Sequence, residues 1–401
     1  MRGRGRRLRR LRELRVTMGV APRDRFGLTW HPLLAGAMLT NGHRLDIVEV
    51  IPEGRFLDSR RARRALRTLA REIPVAIHGV SLGLASAEGI DVARLDAFAR
   101  LMDDVVPEHW SDHLAFVRAG GVELGHLAAP TRSALTVEAA AENLDRAARR
   151  VGARPLAENV ATLLDPPGSD RTEQAWLLEL LDATGSDLLL DLHNLVTNGR
   201  NLGYDPRTLV DALPAHRIRA IHIAGGTEVE ATSGERRVLD DHRHAVPDSV
   251  YALLERVGER VPHAIDVILE RDGAFPPLDA LLGELDRARA ALASGRARRA
   301  DALADPPASY GAATGRSREA GGASRRGSFE TARGQQARVE ALLAALYVDR
   351  AARERWLADP DGEGRRAGLD EAARAAVRQL DRPGLELAAA SFAHKRGAAR
   401  S

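Results

Sequence analysis

The sequence LLLDLHN, at residues 188–194, is a short apolar run that ends in an acidic and an imidazole side chain. Seven other short apolar runs alternate along the chain with longer stretches of helical periodicity. Runs of this kind predict strands, at residues 26–30, 45–51, 75–80, 109–116, 155–160, 188–192, 218–224 and 264–270. The periodic stretches predict helices at residues 59–72, 91–104, 136–151, 172–184, 206–213, 247–260 and 277–293.

Eight strands that alternate with helices over about 270 residues are typical of a (β/α)8 TIM barrel. A doubly wound open sheet also alternates strands and helices, but it usually has fewer strands and a glycine-rich first turn. No G-x-G-x-x-G follows the first predicted strand. The predicted fold is therefore α/β, a TIM barrel.

The composition divides the chain into four parts. The composition of residues 1–20 predicts a basic, disordered arm, and residues 21–295 contain the predicted barrel. Residues 296–334 are rich in Ala, Gly, Ser, Pro and Arg, which predicts a flexible, disordered linker. Helical spacing of large apolar residues returns at 335–396 and predicts a small all-α C-terminal module of two or three helices.

Composition and charge exclude several classes of protein. The 401 residues include no Cys, so disulfides and thiolate metal sites are excluded. No apolar run approaches the ~20 residues of a membrane span, and the start lacks a signal peptide's apolar core. We therefore expect a cytoplasmic protein. Residues 16–295 hold 31 basic and 41 acidic residues, which disfavours a nucleic-acid groove despite the overall charge of +3.

Ionisable residues follow most of the predicted strands, where barrel enzymes place their chemistry. They are Glu49, Glu53, His78, Asp112, His113, Glu158, Asp191, His193, His222 and Glu270, with Asp240, Asp241, His242 and His244 in the loop after strand seven. A single such residue is usually structural, but so many buried charges in one mouth need compensation by cations. Imidazole and carboxylate ligands without thiolate suit iron, manganese or catalytic zinc. Their number predicts two or three ions, with carboxylates such as Glu158 as bridges.

The motifs resemble those of the multinuclear non-heme iron-dependent oxidative enzymes (MNIO). The similarity spans residues 25–290 in order and spacing. It is carried by HGVSLG at 78–83, SDHL at 111–114, ENV at 158–160, LDLHN at 190–194, NGRNLGYDP at 198–206, IHIAG at 221–225, D-x-H at 240–242 and ILERD at 268–272.

The resemblance implies a barrel that holds two or three irons and uses dioxygen to modify a ribosomally synthesised precursor peptide, usually at cysteine. The implied iron ligands are His78, His113, Glu158, Asp191, His222, Asp240, His242 and Glu270. Asp112, Asn159 and Asn194 would be neighbours that orient ligands or substrate. Such enzymes commonly act with a partner protein that recognises the leader of the peptide, a part that the C-terminal module could play.

Three positions depart from the family's motifs. His193 stands where the family usually has Asn, so we expect it to add a ligand or to alter the third metal position. The usual H-L-A-G-H is HIAGG here, with Gly226 in place of the second His, and the usual E-N after strand two is Glu53-Gly54.

Two other functions remain open from the residues alone. One is a barrel hydrolase or isomerase that uses zinc or manganese ions. The other is a metal-binding maturation scaffold without catalysis, which acts through the C-terminal module. Two alternative interpretations of the C-terminal module are a dimerisation element and a degenerate tail.

Overall fold

The computed structural model describes residues 22–53, 56–57, 59–304 and 325–398. The predicted basic arm and the centre of the predicted linker lie outside these residues. The twelve strands of the described residues are β1 (Arg25–Thr29), β2 (Ile47–Val50), β3 (Val75–Gly79), β4 (Trp110–His113), β5 (Phe116–Ala119), β6 (Val122–Ala128), β7 (Leu156–Glu158), β8 (Leu188–Asp191), β9 (Ile218–Ile223), β10 (Thr227–Glu230), β11 (Arg236–Leu239) and β12 (Asp266–Leu269).

Eight of these strands form a closed parallel barrel in the order β1-β12-β9-β8-β7-β4-β3-β2. All eight coincide with predicted strands, so the TIM-barrel prediction is confirmed. The helices are α1 (Ala35–Thr40), α2 (Arg60–Glu72), α3 (Val92–Val105), α4 (Ala134–Val151), α5 (Glu173–Thr184), α6 (Leu192–Leu202), α7 (Pro206–Ala212), α8 (Asp248–Arg260), α9 (Leu278–Ala304), α10 (Arg325–Val348), α11 (Arg350–Ala358), α12 (Pro360–Arg366), α13 (Glu371–Arg378) and α14 (Arg382–Ala398). Within the described part of the chain, no helix is both long and apolar enough to span a membrane.

An apolar layer fills the interior of the barrel beneath its mouth. Side chains of a strand return to the same face every second residue, and six of the eight barrel strands each turn one small or branched residue inward. The buried residues of this layer are Ile47, Ala76, Leu156, Leu189, Ala220 and Ile268. They form an apolar floor directly beneath the polar residues of the mouth.

Two antiparallel hairpins, β5–β6 and β10–β11, extend from the mouth. Neither hairpin was predicted from the sequence, and the fourth predicted strand extended through Phe116. In the structure β4 ends at His113, and Phe116 begins the first hairpin, where it packs among C-terminal apolar residues. The error arises because apolar residues resume directly after His113, at 114–116, and the pattern alone does not show where one strand ends and another begins.

The predicted linker at 296–334 is wrong at both of its ends, which are helical. Helix α9 continues to Ala304 because its last turns pack on α8: the Arg299 guanidinium donates to the Arg260 carbonyl at 3.1 Å, and Arg298 pairs with Glu259 at 2.9 Å. Helix α10 already begins at Arg325. Tertiary contacts here override a composition that is typical of disorder.

The C-terminal region comprises five helices, α10 to α14, where two or three were expected. Its apolar residues do not form an isolated core. Leu343, Tyr347 and Phe392 share one cluster with Phe116 and Leu164 of the barrel domain. The C-terminal helices are therefore packed on the barrel at its mouth.

Candidate metal centre

The ionisable residues of the strand ends converge in the barrel mouth. Each side chain lies on the interior face, two residues beyond the apolar floor on most strands. They are Glu49, His78, His113, Glu158, Asp191, His222 and Glu270, and all seven are buried.

Two imidazoles and one carboxylate form the first group. Nε2 of His78 and Nε2 of His113 lie 3.3 and 3.1 Å from Oε2 of Glu158. Nδ1 of His113 donates to the Gly79 carbonyl at 3.2 Å, which leaves a lone pair on Nε2 of the neutral ring. That lone pair faces Glu158 Oε2, an oxygen that has no hydrogen-bond donor. A cation between these atoms would satisfy all three residues.

The protonation of both rings favours this interpretation. Burial lowers the pKa of His113 to about 4. Burial and the neighbouring imidazoles His113 and His222 hold the pKa of His78 well below its ordinary value. Neutral imidazole is the form that binds metals, so both rings are ready to act as ligands at neutral pH.

His222 is the centre of a second group. Its Nδ1 lies 3.0 Å from Glu158 Oε1 and 3.2 Å from Glu270 Oε2, and its Nε2 lies 3.0 Å from Glu49 Oε2. Burial opposes the charged ring, but these carboxylates outweigh it and raise the pKa of His222 well above its ordinary value. Without a metal ion, the imidazolium thus supplies the cation that the carboxylates require.

Asp191 and Glu158 complete the cluster. One oxygen of Asp191 caps α6 by accepting the Asn194 N–H at 2.6 Å, and the other is buried without a donor. Burial and the nearby carboxylates, Asp240 first, raise the pKa of Asp191 to about 8. Burial, with Glu270 and Glu49, outweighs His222 and raises the pKa of Glu158 to about 7. So many carboxyl groups cannot all ionise without cations beside them.

Three overlapping sets of potential ligand atoms result. Within each set, the atoms lie within 4.8 Å of one another. The sets are Glu49, His78 and His222; His78, His113 and Glu158; and Glu158, Asp191, His222 and Glu270. Six of the eight predicted ligands are brought together in this way, and Glu158 belongs to two of the sets, as a bridging residue would.

Asp240 and His242, the other two predicted ligands, adjoin this cluster as a pair from the loop after β11. His242 Nε2 lies 2.9 Å from Asp240 Oδ2, and His242 Nδ1 lies 3.5 Å from Glu270 Oε2. The backbone of His242 is left-handed, with φ 54°, and this turn directs the loop back over the mouth. His193 Nδ1 lies 2.6 Å from Asp240 Oδ1, so His193 contacts the pair rather than the seven-residue cluster.

The predicted neighbours of the ligands mostly bind backbone. The Asn159 amide exchanges two hydrogen bonds with the backbone of Asp191, at 3.0 and 2.9 Å, and thereby ties β7 to β8. Asn194 Nδ2 donates to the Asn159 carbonyl at 3.0 Å. Asp112 accepts the N–H groups of His113 and Leu82, at 2.7 and 3.3 Å, and belongs to none of the three sets. These residues position the strand ends.

Glu49 is the residue that the ligand assignment missed. Its position was recognised as a strand end, but the resemblance gave it no role. Period-two alternation carries the signal: Glu49 lies two residues after the interior Ile47, as Glu158 follows Leu156.

A cavity of about 410 Å³ leads to the cluster. Its walls include His78, His113, Glu158, His242 and Glu270, together with residues of both hairpins and of the C-terminal helices. Its volume is within the range of small-molecule sites.

Comparison with known proteins identifies the family. Residues 25–293 match the family model described as RiPP precursor modification enzyme MbnB/TglH/ChrH. The chain belongs to this family. The MNIO resemblance is thereby confirmed, and the family is one of TIM-barrel enzymes that modify precursors of ribosomally synthesised, post-translationally modified peptides (RiPPs).

Curated relatives match a stretch of the chain of similar length. A UPF0276 protein of Caulobacter vibrioides is 36% identical over 284 residues, which cover 70% of this chain and 98% of the relative. A UPF0276 protein of Streptomyces avermitilis is 36% identical over 269 residues, 65% of this chain and 53% of the relative. Among solved structures, the chain is similar to an L-ribulose 3-epimerase with a TM-score of 0.45 and 18% identity, over 70% of this chain and 98% of the epimerase.

Proposed function

We propose that this family member is an oxidative enzyme that uses two or three iron ions and dioxygen to modify a precursor peptide at cysteine. Family membership supports a peptide substrate. The observation that carries the metal is Glu158 Oε2, a buried carboxylate oxygen without a donor that faces two imidazole nitrogens.

The donor set supports iron. His78, His113 and Glu158 are two imidazoles and one carboxylate, the ligand types of non-heme iron oxygenases. The second ion would be held by Glu158, Asp191, His222 and Glu270, and the third by Asp240 and His242. Bound iron would supply the one-electron chemistry with dioxygen that side chains lack.

The residues of the chain itself have defined tasks in this proposal. The Gly79 carbonyl keeps the proton of His113 on Nδ1, so that Nε2 stays a ligand. As a ligand His222 would be neutral, so it would release one of its two ring protons, which face Glu158 from Nδ1 and Glu49 from Nε2. The chain has no Cys, so any reactive thiol belongs to the substrate and the enzyme's own ligands cannot be oxidised to disulfides.

The test is metal analysis of protein purified without oxygen. We expect two or three irons per chain in the wild type and a loss of at least one in Glu158→Gln, because the bridge between two ligand sets is gone. Glu53→Gln is the matched control, since Glu53 lines the same cavity but belongs to no ligand set. Fewer than two irons with full occupancy by zinc would overturn the iron assignment. Unchanged iron in Glu158→Gln would overturn the bridging role.

A further inference from the structure

The C-terminal helices line the cavity that leads to the metal cluster. Tyr347, at the end of α10, and Ser391, Phe392 and Lys395 of α14 form part of its wall. The family match ends at residue 293, so these four residues lie outside the family's own domain. They are contributions of this chain to its site.

Helix α14 is fixed between the two hairpins of the mouth. On the β5–β6 side, the Phe392 ring stacks on Tyr347 at 4.7 Å and contacts His126 at 5.0 Å. On the β10–β11 side, the Thr232 N–H donates to Glu386 at 3.0 Å, and Arg237 pairs with Asp381 at 3.2 Å. The helix therefore spans the mouth as a roof, anchored at both sides.

The roof places a positively charged side chain at the edge of the cluster of potential metal ligands. Lys395 is the only lysine of the chain. Its Nζ lies 3.6 Å from Asp272 Oδ2, and the same oxygen lies 3.5 Å from His242 Nδ1. Lys395 is thus two contacts from a candidate ligand, and its side chain remains about one-third exposed toward the cavity mouth.

Charge complementarity indicates what this ammonium would bind. An ammonium has three donors, and a single carboxylate oxygen at 3.6 Å satisfies at most one of them. Two aromatic rings of the C-terminal helices, Phe392 and Tyr347, stack side by side in the same wall. A carboxylate flanked by apolar groups is therefore the ligand that this part of the cavity wall would bind best.

We propose that the C-terminal roof is part of the substrate site: Lys395 pairs with a carboxylate of the peptide close to the reacting residue, and Phe392 with Tyr347 packs against the intervening chain. This inference rests on the proposed function for the peptide substrate. It assigns the C-terminal helices to recognition of the peptide core beside the metals.

The experiment compares two small peptides on the full-length, metal-loaded protein. The probes are acetyl-Cys-Gly with a free carboxylate and the same dipeptide as its carboxamide. Calorimetry measures the affinity of each, and the thiolate-to-metal absorption band reports contact of the sulfur with the metal. We expect the acid to bind about tenfold more tightly than the amide. Lys395→Met should abolish this preference and leave the affinity for the amide unchanged.

Arg396→Met is the matched control, because Arg396 is the next cation on the same helix and is not part of the cavity wall, although its side chain packs over the wall residue Gly125. It should retain the preference for the acid. A preference for the acid without the absorption band would contradict the cysteine thiol as the target but support the role of the roof in binding the peptide. A band with equal affinities, or a preference that survives in Lys395→Met, would overturn the role of Lys395 while leaving the proposed function intact. Absence of both signals would overturn both.

Discussion

His193 and Gly226, two of the three departures from the family's motifs, meet at one point in space. A Cβ added at Gly226 would lie 2.7 Å from His193 Cε1 and would also clash with the Leu239 carbonyl oxygen. The His193 ring occupies this space while its Nδ1 contacts Asp240 at 2.6 Å. A histidine at 193 therefore requires glycine at 226, and the two differences are one structural substitution.

Gly226→Ala tests this coupling. Because the backbone of β11 and the buried His193 ring must both shift, we expect the free energy of unfolding to fall by ~1–3 kcal/mol. Urea unfolding measures it. Gly283→Ala is the control, since nothing lies within 4 Å of its added Cβ in α9, and it should be neutral or stabilising by up to ~1 kcal/mol. Equal effects of the two variants would contradict the coupling.

At the scale of elements, helix α10 is held to the barrel by a buried carboxyl group. The Ala87 N–H donates to Glu340 at 3.0 Å, and Ser86 Oγ lies 3.2 Å from the same oxygen. Burial outweighs these hydrogen bonds and raises the pKa of Glu340 to about 8. The protonated form is therefore the one that the folded protein favours.

This raised pKa predicts a pH dependence of stability. A folded pKa above the ordinary value of about 4.5 gives a contribution that is complete below pH 4.5 and declines as the pH rises to about 8. Glu340→Gln removes the titration, so the variant should gain stability relative to wild type between pH 5.5 and pH 8.5. Urea unfolding at both values measures the difference. Glu354→Gln, at an exposed glutamate of α11, should show no such trend. A constant difference for Glu340→Gln would contradict the buried-acid account.

At the scale of the whole molecule, the barrel and the C-terminal region share one apolar cluster. Phe116, Leu124 and Leu164 of the barrel domain are buried there together with Leu343 and Trp356. The cluster of potential metal ligands lies entirely within residues 49–270. The stability that the C-terminal helices add and the binding of metal therefore depend on different residues.

Removal of residues 305–401 separates these two properties. The truncation uncovers Phe116, Leu124 and Leu164, each worth ~1.5–3 kcal/mol of burial, so we expect a lower melting temperature and binding of a hydrophobic dye. Metal content per chain should match the full-length protein, because every ligand set is retained. Unchanged melting without dye binding would show that the C-terminal helices contribute no packing to the barrel. Metal loss in a protein that stays folded would show that they support the cluster.

The sequence alone determined the barrel and most of its site. Period-two alternation and strand-end position are local properties, so His78, Glu158, Asp191 and His222 were recognisable without coordinates. Tertiary structure decided what depends on distant contacts. It showed that Glu49 joins the cluster, that Asp112 and Asn159 bind backbone, and that helices extend over both ends of the predicted linker. It also placed Lys395 in the wall of the cavity beside Asp272, because residues more than a hundred positions apart meet only when the C-terminal helices pack across the mouth.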